Sequence, residues 1–139
     1  MSADLEAMAK RFNDEVFTQG KFEVIDELVA ADYVEHQEFP GLEPTREGLE
    51  KFVQLFHAAF SDINVETLSV GVDGDELWVH SIFTGTHTGE FMGIPATGRS
   101  VSLAMMDRVK VRDDKAVEHW GVSDDLGMMT QLGVVPEMG

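Results

Sequence analysis

The chain has 139 residues, 43% of them apolar, which suits one compact domain around one core and is too short for a cofactor domain beside a substrate domain. Twenty-six acidic residues against ten basic ones give a formal net charge of −16, a field that repels phosphate backbones and anionic lipid and argues against nucleic-acid and membrane-surface partners, although such an excess also serves solubility. The absence of cysteine removes disulfides, thiolate chemistry and cysteine-ligated zinc; no apolar run approaches the roughly 18 residues of a spanning helix, and the first residues lack a basic stretch followed by a hydrophobic one, so a cytoplasmic domain is expected.

Leu5, Met8, Ala9, Phe12 and Val16 recur at three-and-four spacing and predict an amphipathic helix ending near Gly20. Phe22, Ile25, Leu28 and Val29 predict a second, short helix, and the segment AADYVEH leads into the turn-rich loop QEFPGLEP. Thr45 is placed to cap a longer helix with the inner stripe Leu49, Phe52, Val53, Phe56 and Phe60. From Ile63 the period changes from helical to alternating. Strands are predicted at roughly 63–72, 75–87, 99–112 and 115–123, then a last helix near 125–132 that stops at Gly133. Helices first and an antiparallel sheet afterwards define an α+β fold of one domain, residues 1–139, in which a curved sheet wraps the helices.

The final hairpin yields a register. Val101, Leu103, Met105, Val109 and Val111 share a face, and Asp107 falls on that apolar face, out of pattern. A three-residue loop, Asp113 to Lys115 with Asp114 left-handed, sets Arg112 opposite Ala116, Val111 opposite Val117, Lys110 opposite Glu118 and Arg108 opposite Trp120. Val109 then meets His119, and Asp107 meets Gly121. The result is a carboxylate on an apolar wall with an imidazole diagonally across, a pair suited to removing a proton next to a carbonyl, or one that merely satisfies itself.

GTHTGEFMGIPATGR at 85–99 and VRDDKAVEHWGVSDDLGMMTQLG at 111–133, with YVEH at 33–36, resemble the SnoaL-like ester cyclases of the nuclear-transport-factor-like superfamily. The resemblance implies a cone-shaped barrel, often dimeric through the outer sheet face, and a cofactor-independent aldol closure of a polyketide ester by an acidic acid/base residue helped by histidine. It also places a family histidine at Asp107 and the family's acid/base aspartate at Gly121. The chain departs at both positions, so either the carboxylate has crossed the hairpin to Asp107 or the cyclase chemistry is lost, with Asp124 as the reserve acid.

Other polar residues have two readings each. His36 and Tyr33 in YVEH suit a substrate orienter or a loop anchor; Asp124 suits a helix cap; the face of His80 is undetermined; His87 suits a structural hydrogen bond and His57 a helix edge. No histidine spacing resembles a zinc site, so no metal and no cofactor are expected. Met92, Met105, Met106, Met128 and Met129 suit a pliable pocket mouth or ordinary core, and Trp78 and Trp120 on the outer face would mark a dimer contact. The leading expectation is an acid/base enzyme on a hydrophobic carbonyl compound, with Asp107, His119, His36 and Asp124 as catalytic candidates and Tyr33, Phe56, Phe60 and Met105 on the substrate wall. The alternative is a non-catalytic dimer that binds a small hydrophobic ligand.

Overall fold

A computed structural model describes residues 2–135. Helix α1 (Ser2–Arg11) runs into a π-helical segment (Phe12–Thr18), followed by α2 (Val24–Leu28), β1 (Val29–Glu35), α3 (Arg46–Ala59), β2 (Phe60–Asp73), β3 (Glu76–His87), β4 (Ser100–Arg112), β5 (Lys115–Ser123) and α4 (Asp125–Gln131). The four strands expected from alternation are present within a few residues of their expected ends. One strand was not expected: β1 joins parallel to β5, so the order is β1-β5-β4-β3-β2 and the sheet is mixed rather than wholly antiparallel. Strands β1 and β2 form its two edges and do not pair, which leaves an open curved sheet where the resemblance implied a barrel.

Local chemistry explains most boundaries. Thr45 Oγ1 accepts the Gly48 N–H at 3.2 Å and caps α3 as expected. The first helix does not continue as an α-helix to Gly20. Its last seven residues widen into π-helix, and Gly20, at φ +71°, ends the segment by donating its N–H to the Val16 carbonyl. Phe60 is the first residue of β2 rather than the last turn of α3, with φ −126° and ψ 142°.

The core lies between the helices and the inner sheet face. Phe17, Phe56, Phe60, Phe83 and Phe91 pack there mostly edge to face, with ring centroids 5.2 to 6.3 Å apart. Such ring pairs contribute about 0.5–1.5 kcal/mol each beyond their buried area. No helix among the described residues is long and apolar enough to cross a membrane.

The β4–β5 hairpin corrects the sequence reading in an instructive way. Its turn has two residues, Asp113 and Asp114, both left-handed at φ 52° and 62°, so Arg112 pairs with Lys115 and Val111 with Ala116. Val117 is then the extra residue of a β-bulge, and from Lys110↔Glu118 onward the register is the expected one. Val109 faces His119, Arg108 faces Trp120 and Asp107 faces Gly121.

Candidate functional site

Three neighbouring strands bring three ionisable side chains into a row at one end of the inner face. Glu35 on β1 and His119 on β5 are register partners, and Asp107 on β4 sits diagonally across from His119. His119 Nε2 lies 2.7 Å from Asp107 Oδ1, and Nδ1 lies 2.5 Å from Glu35 Oε2. These side chains are only 25% (Asp107), 17% (His119) and 15% (Glu35) exposed. Burial by itself would lower the His119 pKa, but hydrogen bonds to Asp107 and Glu35, with their negative charge, outweigh it and raise it to about 9. At neutral pH His119 is therefore an imidazolium that donates from both nitrogens.

Glu35 is saturated. Its Oε1 accepts the Tyr33 hydroxyl at 2.7 Å, and its Oε2 accepts the Gln37 N–H at 3.1 Å as well as His119. Tyr33 is held as a phenol, since burial and then the Glu35 charge push its pKa up. Asp107 differs: only Oδ1 is engaged, and Oδ2 has no hydrogen bond among the described residues. A cavity of about 990 Å³ opens beside it, walled by Phe17, Phe52, Phe56, Phe83, Leu103 and Met105. A Cβ at residue 121 would stand 2.5 Å from Gln37 Oε1 and 2.7 Å from Asp107 Oδ1, so the glycine opposite Asp107 does not leave an empty space; it admits the carboxylate and the amide.

The expected site residues divide. Asp107, His119, Tyr33, Phe56 and Met105 all line the cavity. Phe60 does not; it packs behind Phe56, Phe83 and Phe91. His36 borders the cavity, but its ring stacks on Trp120 at 4.6 Å and its Nε2 meets Glu118 at 3.1 Å, so its contacts are with outer-face residues rather than with the Asp107 carboxylate. Asp124 caps α4 through the Gly127 N–H at 3.0 Å. Alternation about the buried Val79 and Ser81 puts His80 on the outer face. His87 is fully buried and holds the loop after β3 by accepting the Thr97 N–H at 3.2 Å, and His57 donates to the Phe17 carbonyl at 2.6 Å. Met92, Met105, Met128 and Met129 line the cavity, whereas Met106 lies exposed on the outer face. Among the described residues no His, Asp and Glu cluster is arranged to hold a metal.

Glu35 is the residue that sequence reasoning missed. Tyr33 and Glu35 are two apart on one strand and share a face, whereas Tyr33 and His36 cannot. Reading YVEH as a strand would have found it.

Residues 7–132 match the profile of the family described as SnoaL-like polyketide cyclase. The chain belongs to that family. The SnoaL-like chain is 29% identical over 127 residues to aklanonic acid methyl ester cyclase DauD of Streptomyces sp. strain C5, a match covering 86% of this chain and 76% of that one. Among solved structures it resembles wild-type IdmH from Streptomyces antibioticus at 34% identity and TM-score 0.80, over 93% of this chain and 98% of that one. TsrD from Streptomyces laurentii superimposes with TM-score 0.88 at 25% identity, over 96% and 97%. This SnoaL-like protein is accordingly an enzyme of the cyclase type, and the non-catalytic alternative is not favoured.

Proposed function

We propose that the protein closes a ring in a neutral, hydrophobic keto ester by intramolecular aldol addition, with Asp107 as the acid/base. The observation that carries this reading is the half-free Asp107 carboxylate, tied through His119 to Glu35, at the polar end of a large aromatic cavity. Oδ2 takes the proton from the carbon next to the ester carbonyl, the resulting enolate carbon attacks a second carbonyl of the same molecule, and the new alkoxide recovers the proton from Asp107. One C–H bond and the π bond of the second carbonyl break, one C–C and one O–H bond form, and no other reactant is consumed. His119, as imidazolium, offsets the charge that builds on the enolate, and Glu35 is a positioning residue that fixes the ring.

The volume at position 121, where the resemblance expects the acid/base side chain, is filled by the Gln37 amide and the Asp107 carboxylate. That supports a carboxylate carried across the hairpin rather than lost. The cavity lining holds Glu35, Glu38, Glu43, Asp107 and Asp125 but no lysine or arginine, which favours an ester over a free acid, as in the name of the DauD relative. We place a homodimer contact on the outer sheet face, where Trp78, Met106 and Val122 are exposed.

The test is exchange of carbon-bound protons in deuterated water for a panel of hydrophobic β-keto esters, comparing wild type with Asp107→Asn. The proposal expects exchange that the substitution abolishes. Binding of several esters with no exchange by the wild type would remove the acid/base reading.

A further inference from the structure

A second polar feature lies in the same cavity, away from Asp107. The π-helical segment widens the turn after α1 and brings Phe12, Asn13 and Phe17 to the cavity together, a distortion often found where a helix serves a site. Asn13 is only 8% exposed. Its Nδ2 donates to Thr67 Oγ1 on β2 at 2.8 Å, which fixes the amide plane, while its Oδ1 takes no hydrogen bond among the described residues and the residue lines the cavity. Thr67 pairs with Ser81 on β3, whose Oγ is buried without a partner, so the polar groups behind Asn13 are packed into the sheet while Asn13 itself meets the cavity. An amide buried among aromatic rings with an unused acceptor is costly unless something in the cavity engages it.

The sheet register gives the distance to the reacting end. Val79 pairs with Asp107 and Ser81 with Met105, so Thr67 is two strands across and one inner-face step along from Asp107. With strand spacings of about 4.8 Å and about 6.7 Å for a two-residue step, the backbones are about 12 Å apart. That backbone interval between Thr67 and Asp107 is longer than a single ring, so an extended, bicyclic ligand suits the cavity.

We propose that Asn13 is a specificity-determining anchor: it accepts a hydrogen bond from a hydroxyl group on the ring of the substrate remote from the carbon that Asp107 deprotonates. The inference rests on the acid/base reading for which end of the ligand lies at Asp107. Thr67 is a positioning residue for the amide.

The experiment uses bicyclic aryl β-keto methyl esters, one unsubstituted and others carrying a single hydroxyl at successive positions of the distal ring, with the full chain. Calorimetric affinities and α-proton exchange rates are measured for wild type and Asn13→Leu. At least one hydroxylated ester should bind wild type roughly three- to tenfold tighter than the unsubstituted one, the worth of one net hydrogen bond. Asn13→Leu should erase that preference, so that the hydroxylated and unsubstituted esters bind the variant equally. If the leucine variant fails to fold, Asn13→Ala makes the same comparison. A preference that survives the substitution, the absence of any preference, or an equal weakening of all esters overturns the anchor. Loss of preference in a protein that exchanges none of the esters sustains the anchor and removes the acid/base reading instead.

Discussion

Raising the pH through the His119 titration should destabilise the fold by an amount that can be worked out. The imidazole binds its proton more tightly when folded, with a pKa of about 9 against the ordinary 6.5, because Asp107 and Glu35 flank it. Between those two values the folded chain holds a proton that the unfolded chain has released, so stability falls as pH rises; below about 6.5 both states are protonated and the contribution is flat and fully present. At about 1.4 kcal/mol for each pH unit, the loss is about 3 kcal/mol by pH 9 and beyond. The net charge of −16 adds a general repulsion that also grows with pH, so the comparison must be with His119→Gln, in which that background remains and the specific term is absent. Urea unfolding at pH 6, 7, 8, 9 and 10 gives both curves, and the ring proton shifts of His119 locate its midpoint. Parallel curves for the two proteins, or a His119 midpoint near 6.5, would refute the charge assignment on which the proposed chemistry depends.

Gly121→Ala drives a methyl group against Gln37 and Asp107, so exchange of a keto ester should fall by about a hundredfold from displaced geometry, with an overpacking cost of about 1–3 kcal/mol by urea unfolding. Phe83→Ala empties a fully buried position against Phe17, Phe56 and Phe60 and should cost about 3–5 kcal/mol, read by the same method. Met106→Glu adds a charge to the exposed outer face and should convert the proposed dimer to a monomer in sedimentation velocity while the exchange rate per chain stays unchanged.

The antiparallel core of the fold was legible because β2 to β5 alternate over most of their length despite bulges in β2 and β5, and the inward Asp107 was legible because a polar residue stands in the apolar half of the pattern. Strand β1 was not, since its register shifts between Val29 and Val34 and only Val29 and Tyr33 are buried, four residues apart, a spacing that a helix also produces. With β1 unread, Glu35 and His36 could not be assigned to faces, and the neighbour His36 was chosen in place of Glu35. The π-helical segment was hidden for a similar reason: Phe12 and Val16 satisfy a helical stripe in either form, and nothing in FNDEVFT marks the wider turn that carries Asn13 inward. Asp124 was separable in principle, because a carboxylate three residues before a glycine N–H is the ordinary cap arrangement seen here.

The bulge at Val117 makes strand parity the quantity that evolution or an engineer must conserve between residues 107 and 119. Removing that single valine takes the bulge away with it and leaves Lys110 opposite Glu118 and His119 facing the cavity, whereas removing one residue with no bulge to lose would turn His119 toward the outer face. Changes of hairpin length are therefore tolerable in steps of two, or in steps of one only when a bulge appears or vanishes with them. Related chains that gain or lose one residue in this turn should show the matching bulge change, and those that do not should have an inverted inner face.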